Sequence, residues 1–184
     1  MSLVGSSSIQ FLGLDLSLTS TGFSTNGITG RISTPTKGAE RLYLISNNII
    51  SLIKEHAINV VIIEGYSFAS RNSQAHSIGE LGGCVRMRLW ENEIPFVDVP
   101  PTSRAKFATG RGNASKAEVI SSISAKTGKV FAGKGSDDEC DAWVLEQMGL
   151  THLGLSDWDW NKEQISALSK IDWSALDLIT NKVG

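Results

Sequence analysis

The chain has 184 residues, of which 41% are hydrophobic and 20% charged, and its formal net charge is -2. This length and composition predict one globular domain with a hydrophobic core, and they exclude two large lobes, a disordered chain and a fibrous protein. No apolar run approaches the roughly 20 residues of a membrane span, and polar residues 1–8 lack the features of a signal peptide. We therefore expect a disordered N-terminal tail over 1–8 and a cytoplasmic protein that does not enter a membrane.

Three antiparallel strands are predicted at the start of the chain. Residues 9–15 form a short apolar run rich in strand formers. Residues 21–24 and 28–33 flank Asn26-Gly27, which is the strongest short-range signal for a hairpin.

Helices and strands then alternate. Apolar residues recur at helical spacing over 39–56, and the continuous apolar run 60–63 follows as a buried parallel strand. An amphipathic helix over 75–91 and a strand over 95–99 repeat this crossover. The order of elements predicts an α/β fold with a five-stranded mixed sheet, three antiparallel strands and then two parallel ones, flanked by helices.

The remaining chain is predicted to be mainly helical. A short helix starts at Pro100-Pro101 and ends near Thr109-Gly110, and a second covers 115–127 and is stopped by Gly128. After a glycine-rich loop, Ser136-x-x-Glu139 matches a capping box, which places Asp137 at the first position of the last core helix.

We expect the domain to span residues 9–149, with residues 150–184 as a C-terminal extension rich in tryptophan. Its indole rings are expected to pack on the domain or across a dimer, or to form a protein-binding segment. The two cysteines, Cys84 and Cys140, lack the spacing of a zinc site or a disulfide framework, which indicates a reducing compartment.

Four acids occupy positions that predict a metal site. Asp15 and Glu64 end the first strand and the strand after the first crossover, which usually become parallel neighbours, so both carboxylates would reach the same edge of the sheet. Asp138 and Asp141 stand three residues apart near the start of a helix and therefore face the same way. Four negative charges together are strongly unfavourable without a cation. We expect two Mg²⁺ ions per site, with Mn²⁺ as a substitute, because such pairs support phosphodiester hydrolysis.

Each acid also has a simpler explanation when it is taken alone. Acids at a helix start complement the helix dipole, Asp15 could turn the chain, and Glu64 could form a structural ion pair. Their joint occurrence at convergent positions favours a site.

A basic segment precedes the last core helix. From Thr102 to Lys134 the chain has seven basic residues and one acid, Glu118, although the whole chain is slightly acidic. We expect this segment to hold a phosphate backbone beside the acids. The basic residues are Arg104, Lys106, Arg111, Lys116, Lys126, Lys129 and Lys134.

At these residues the chain resembles the RuvC-type Holliday-junction resolvases, or crossover junction endodeoxyribonucleases, and especially their phage-encoded branch within the RNase H-like superfamily. The resemblance covers roughly residues 11–148. It rests on five motifs, which are Gly13-Leu-Asp-Leu-Ser-Leu-Thr-Ser-Thr-Gly22, Val61-Ile-Ile-Glu64, Ile78-Gly-Glu-Leu-Gly-Gly83, Lys106 with Thr109-Gly-x-Gly-x-Ala-x-Lys116, and Asp138-x-x-Asp-Ala142.

The resemblance implies an RNase H-like fold and a homodimer that nicks two strands symmetrically at a four-way or branched DNA. The catalytic, metal-binding tetrad would then be Asp15, Glu64, Asp138 and Asp141. Lys106 and Lys116 would lie close to the scissile phosphate, with Lys116 in a catalytic role.

The resemblance also implies DNA contacts in the loop that follows the second acid. An aromatic residue there would contact unpaired bases, and either Tyr66 or Phe68 could supply it, because stacking is tolerant of sequence. Backbone contacts would come from Arg71 and Asn72 of the same loop, and from Arg104 and Arg111 of the basic segment.

Other functions remain open from the sequence. The same fold and carboxylates would serve a nuclease that cuts RNA–DNA hybrids or flaps. Residues 15–22 also fit the Asp-x-Ser-x-Thr-x-x-Gly pattern of actin-like ATPases, although the chain is too short for their duplicated lobes and the pattern leaves Asp138 and Asp141 unexplained. A DNA-binding module without catalysis is the third alternative, and the presence of all four acids argues against it.

Overall fold

A five-stranded mixed sheet lies at the centre of the computed structural model, which describes residues 9–65 and 73–183. The strand order is β3-β2-β1-β4-β5. The first three strands are antiparallel, while β4 and β5 run parallel to β1. This arrangement confirms the predicted fold. The strands are β1 Phe11–Asp15, β2 Thr21–Thr25, β3 Ile28–Ile32, β4 Val60–Glu64 and β5 Phe96–Val99.

Seven α-helices and one 3-10 helix are found among the described residues. Within them, no helix combines the length and the apolarity that a membrane crossing needs. The helices are α1 Gly38–Glu55, α2 Ser73–Glu91, α3 Pro101–Thr109, α4 Lys116–Thr127, α5 Ser136–His152, α6 Lys162–Ile165, the 3-10 helix Leu168–Lys170 and α7 Ser174–Val183.

Alternation along the strands gives the sheet two different faces. Leu12 and Leu14 of β1 join a core with apolar side chains of α1 and α2, among them Ile45 and Leu81. Phe11 points the other way, into a core that contains side chains of α3, α4 and α5. Because side chains repeat every second residue in a strand, the residues that share the face of Phe11 are the odd-numbered ones of β1.

Helix α5 packs directly on the backbone of β1 and β2. A side chain at Gly13 would bring its Cβ within 2.7 Å of the Glu146 nitrogen, and one at Gly22 would press on the backbone of Asp138. Both positions therefore require glycine. Glu146 also ties α5 to the hairpin, because its buried carboxylate accepts hydrogen bonds from the Ser24 hydroxyl at 2.5 Å and the Asn26 nitrogen at 2.7 Å.

The start of α5 differs from the predicted capping box. The N-cap residue is Gly135, in the left-handed region with φ +79°, and Ser136 is the first helical residue. Asp137 is therefore the second helical residue and not the first. The Glu139 carboxylate does not turn back to the N-cap but pairs with Arg31 of β3, with 3.0 Å between Arg31 Nε and Glu139 Oε1. A long-range ion pair has replaced the local cap.

Residues beyond α5 pack on the α5 side of the sheet. Trp160 and Trp173 belong to that core, and the Trp160 ring lies 4.3 Å from the ring of Phe107 in α3. Gln164 of α6 donates a hydrogen bond of 3.0 Å to the Ala108 carbonyl oxygen, also in α3. The C-terminal segment therefore supports the helix that starts immediately after β5.

Candidate functional site

Three of the four predicted acids converge at one edge of the sheet. Leu14 pairs with Ile63 in the parallel register, so the next residues, Asp15 and Glu64, end adjacent strands side by side. Both lie on the face covered by α5, whose second turn contributes Asp141. One carboxylate oxygen from each of these three acids lies within 4.8 Å of the other two.

Asp138 lies one turn before Asp141 on α5 and is not part of this group of three. Its Oδ1 atom lies 3.6 Å from Lys116 Nζ, and its side chain is 15% exposed. Close packing of α5 on Gly22 fixes its backbone beside β2. The four predicted acids therefore occupy one corner of the fold, three of them as a tight group and Asp138 at its border.

Burial and mutual repulsion make the cluster costly to ionise. The pKa of Asp15 is raised well above its usual value, first by burial and then by the charges of Glu64 and Asp141. The pKa of Asp141 rises to about 6, mainly through burial. Its contact with Arg104 acts in the opposite direction but does not cancel the effect of burial.

Arg104 lies inside the acidic cluster. Its Nε atom donates to Glu64 Oε2 at 3.1 Å, its Nη2 atom donates to Glu64 Oε1 at 3.3 Å, and its Nη1 atom donates to Asp141 Oδ1. The side chain is 9% exposed. Burial opposes the charge of this guanidinium, but the charges of Glu64, Asp141 and Asp15 outweigh it and raise the pKa of Arg104.

We expected Arg104 among the DNA backbone contacts. The structure places its side chain in the interior, where it is engaged by Glu64 and Asp141. The sequence does contain a signal for this position, because α3 begins directly after β5, at the same edge where β1 and β4 end in acids.

Lys116, the first residue of α4, faces the cluster from its solvent side. Its Nζ atom lies 2.6 Å from Asp137 Oδ2 and 3.9 Å from Asp141 Oδ2, and its side chain is 55% exposed. The hydrogen bond to Asp137 and the nearby carboxylates raise the pKa of Lys116 above its usual value, against the effect of burial. The lysine is therefore a charged group at the border between the acids and solvent.

The donor set suits a hard divalent cation. Carboxylate oxygens are the ligands that Mg²⁺ and Mn²⁺ prefer. The Oδ2 atom of Asp141 is buried and has no hydrogen-bond partner among the described residues, although Lys116 Nζ lies 3.9 Å away. A buried acceptor without a partner costs free energy, which a bound cation would recover.

The remaining predicted DNA contacts differ in their surroundings. Lys106 is half-buried in α3. Arg111 pairs with Glu118 at 2.5 Å on the surface, where the arginine side chain is 64% exposed. Tyr66, Phe68, Arg71 and Asn72 lie outside the residues that the structure describes.

The basic segment does not form a single positive face. Lys126 Nζ lies 5.2 Å from the ring centre of Trp160 and donates to the Asp159 carbonyl oxygen at 2.6 Å. Lys129 Nζ lies 5.9 Å from the ring centre of Trp143. These two lysines pack against aromatic rings of the α5-side core, whereas Arg104 and Lys116 face the acids.

Comparison with known proteins gives a consistent family assignment. The profile of the family described as "Crossover junction endodeoxyribonuclease RuvC" matches residues 11–142. A RuvC of Prochlorococcus marinus (strain NATL2A) is 30% identical over 114 residues, covering 62% of this chain and 73% of the relative. A RuvC of Carboxydothermus hydrogenoformans is 28% identical over 124 residues, covering 67% of this chain and 78% of the relative.

Solved structures share the fold. The structure titled "T. thermophilus RuvC in complex with Holliday junction substrate" superposes with a TM-score of 0.63 and 19% identity, covering 80% of this chain and 97% of the other. The yeast mitochondrial Holliday junction resolvase Ydc2 superposes with a TM-score of 0.52 and 11% identity, covering 75% of this chain and 76% of the other.

Proposed function

This chain belongs to the RuvC family of crossover junction endodeoxyribonucleases, and we propose that it resolves four-way DNA junctions by metal-dependent hydrolysis of phosphodiester bonds. The family assignment rests on the match over residues 11–142. It makes the chain a nuclease of RNase H-like fold, and it leaves the actin-like ATPase and the inactive DNA-binding module without support.

The grouping of three carboxylates supports the proposal that cleavage depends on a metal ion. Asp15, Glu64 and Asp141 bring carboxylate oxygens within 4.8 Å of one another, and the Asp141 Oδ2 atom has no hydrogen-bond partner among the described residues. We assign Mg²⁺ as the natural ion, Mn²⁺ as its substitute, two ions as the full complement, and Asp138 as the fourth ligand. Bound ions of this kind activate water and stabilise the charge on the leaving oxygen.

Lys116 is assigned a catalytic role at the solvent side of the cluster. Its charged Nζ group lies 3.6 Å from Asp138 and 3.9 Å from Asp141. A phosphodiester that approaches the acids from solvent would meet this ammonium group, which offsets the repulsion between phosphate and carboxylates and stabilises charge that develops at phosphorus. Lys106 would hold the neighbouring phosphate.

DNA contacts away from the cleaved bond are also part of the proposal. Arg111 would bind the backbone, because its ion pair with Glu118 is exposed, contributes little to stability and is easily exchanged for a phosphate. Tyr66 or Phe68 would stack on unpaired bases at the crossover, and Arg71 and Asn72 would contact the backbone beside them. A protein with this function would work where the DNA is, and we propose the cytoplasm of a bacterium or of a phage-infected host.

A homodimer would let one protein nick two strands symmetrically, and helix α2 offers a surface for it. Gly83, Met87 and Trp90 follow one another at helical spacing on an exposed stripe. The Trp90 side chain is 77% exposed and that of Met87 is 53% exposed, while a Cβ at Gly83 would meet nothing within 4 Å. Apolar side chains beside a small residue allow close approach of a second helix. We assign this α2 stripe as the dimer surface.

A panel of DNA substrates tests the proposed function. An immobile four-way junction, a fork, a linear duplex and an RNA–DNA hybrid are incubated with the protein and Mg²⁺ at matched concentrations. The proposal predicts paired nicks in the junction, with 5′-phosphate ends. Equal cutting of linear duplex, or preferred cutting of the hybrid, would contradict it and would favour a nuclease with another substrate.

A further inference from the structure

We propose that Arg104 is an internal counter-ion of the acidic cluster and competes with the divalent metal for Glu64 and Asp141. The inference rests on the proposed metal site and concerns this chain's own cation within it. The guanidinium contacts both oxygens of Glu64 and the Oδ1 atom of Asp141.

Arg104 and Glu64 form a bidentate ion pair. A guanidinium offers its N–H groups in a rigid fork, and Glu64 receives two of them in the side-by-side arrangement that makes arginine–carboxylate pairs strong. The side chains of Arg104, Glu64 and Asp141 are 9%, 13% and 2% exposed, so water screens the three charges only weakly.

The charges in the cluster are partly balanced by the protein itself. Asp15, Glu64, Asp138 and Asp141 carry four negative charges when ionised, and Asp137, which lies 2.6 Å from Lys116 Nζ, adds a fifth. Arg104 and Lys116 offset two of the five, so one divalent ion would leave a net charge of -1 and two would leave +1. The second divalent ion therefore makes the cluster positive, which favours either the arrival of a phosphate or the departure of Arg104.

The hydrogen bonds of Arg104 occupy carboxylate oxygens that a metal ion would need, which indicates that Arg104 competes with the metal and does not assist its binding. Both oxygens of Glu64 accept N–H groups of Arg104, and Asp141 Oδ1 accepts another, whereas Asp141 Oδ2 has no hydrogen-bond partner among the described residues. A carboxylate oxygen that holds a guanidinium N–H has less electron density to offer to a metal at the same place. Full ligation by Glu64 therefore requires the guanidinium to move away.

A DNA-free Mn²⁺ titration by calorimetry tests this inference without measuring activity. The proteins compared are the wild type, Arg104→Gln, Arg104→Lys and Arg41→Gln. Arg41→Gln is the matched control, because it removes the same charge from a half-buried arginine of α1, whose Nε atom donates to the Thr36 carbonyl oxygen outside the cluster. We expect Arg104→Gln to bind Mn²⁺ about tenfold more tightly than the wild type, a typical size for coupling between two sites. Arg104→Lys should be intermediate, and Arg41→Gln should match the wild type.

Thermal unfolding with and without Mn²⁺ gives a second readout. Without metal, Arg104→Gln should have a lower Tm than the wild type, because Glu64 and Asp141 lose their buried partner. Addition of Mn²⁺ should raise the Tm of this variant more than that of the wild type, as tighter binding requires. If Arg104→Gln proves too unstable without metal, the rise in Tm on addition of Mn²⁺ is compared between Arg104→Lys and the wild type. Arg104→Lys keeps the charge but cannot form the paired contact with Glu64.

The outcomes separate this inference from the proposed function. Equal or weaker Mn²⁺ binding by Arg104→Gln would contradict the competition and would mean that Arg104 stays in place and orients the ligands. A complete lack of Mn²⁺ binding by all four proteins would contradict the metal site itself, and the inference with it.

Discussion

Asp15 and Glu64 end neighbouring parallel strands on the same face of the sheet, because Leu14 and Ile63 are paired in register one residue earlier. A shift of this pairing by one residue would send one carboxylate to the opposite face. The register of two buried strands therefore fixes the distance between two charged groups. Helix α5 then brings Asp141 onto the same face.

Replacing Lys116 with methionine should impair cleavage without weakening metal binding. Methionine keeps most of the stem and removes the ammonium group that lies 3.6 Å from Asp138 and 3.9 Å from Asp141. Loss of one group that stabilises transition-state charge typically lowers kcat by about 100-fold, and we expect that size of effect in single-turnover cleavage of a junction. Mn²⁺ affinity should stay equal or rise, because a like charge has been removed from beside the ions.

Lys54→Met is the control for this measurement, since Lys54 is exposed in the last turn of α1. The control should cleave as the wild type does. A Lys116→Met protein that keeps full single-turnover activity would contradict the role assigned to Lys116.

Metal binding should weaken as the pH falls through about 6, because the pKa of Asp141 is raised to about 6 by burial and a proton then competes with the ion.

The stability of the protein without metal should instead rise as the pH falls. A carboxyl group whose pKa is higher in the folded protein than its usual value of 3.8 favours folding below pH 3.8. That contribution is lost as the pH rises to about 6.

Mn²⁺ titrations and thermal unfolding between pH 5 and pH 8 measure both effects, with Asp141→Asn as the control that cannot titrate at this position. The variant should show a flatter dependence of metal-free Tm on pH than the wild type. Identical pH profiles for the two proteins would contradict the assignment of this ionisation to Asp141.

Gly13→Ala should destabilise the protein strongly. The added Cβ would lie 2.7 Å from the Glu146 nitrogen and still closer to the Ala142 carbonyl oxygen, so α5 would have to move away from β1. Overpacking of this kind costs about 3 kcal/mol, which corresponds to a fall in Tm of roughly 6–12 °C for a chain of this size.

The matched control is Gly79→Ala in α2, where an added Cβ would meet nothing within 4 Å. This substitution should stabilise the helix by about 0.5–1 kcal/mol. Chemical unfolding of both variants measures the difference, and a Gly13→Ala protein as stable as the wild type would contradict the close contact between α5 and β1.

Trp90→Glu should convert a dimer into a monomer, because it places a charge in the centre of the proposed α2 stripe. Sedimentation velocity measures the change. Val130→Glu is the matched control, since Val130 is 85% exposed and lies in the loop after α4, away from α2. A wild-type monomer, or a Trp90→Glu protein that remains dimeric, would contradict the assigned surface.

The sequence predicted the parts of the site that depend on local pattern. Strand ends, helix periodicity and the Asn26-Gly27 turn follow short-range rules, and together they predict that Asp15 and Glu64 lie side by side. For Arg104 the sequence predicted the helix start directly after β5, and thus the right edge of the sheet. It did not predict the contacts with Glu64 and Asp141, because these depend on how α3 packs, which composition and spacing do not specify.

The start of α5 shows the same limit. Ser136 and Glu139 have the spacing of a capping box, yet Glu139 pairs with Arg31, which is more than a hundred residues earlier in the chain. A tertiary ion pair replaced a local hydrogen bond, and the local pattern contains no information about it. The assignment to a phage-encoded branch stays a prediction, since the match over residues 11–142 is to the RuvC family.

Cleavage of an immobile four-way junction by two matched variants, Asp15→Asn and Asp98→Asn, tests most directly whether the acidic cluster performs metal-dependent junction cleavage. Both acids lie on parallel-sheet strands, but Asp98 pairs with Arg86 of α2, on the side of the sheet opposite α5. We expect Mg²⁺-dependent paired nicking by the wild type and by Asp98→Asn, and no detectable nicking by folded Asp15→Asn. Undiminished nicking by Asp15→Asn, or nicking by the wild type without any divalent ion, would contradict metal-dependent cleavage at this cluster.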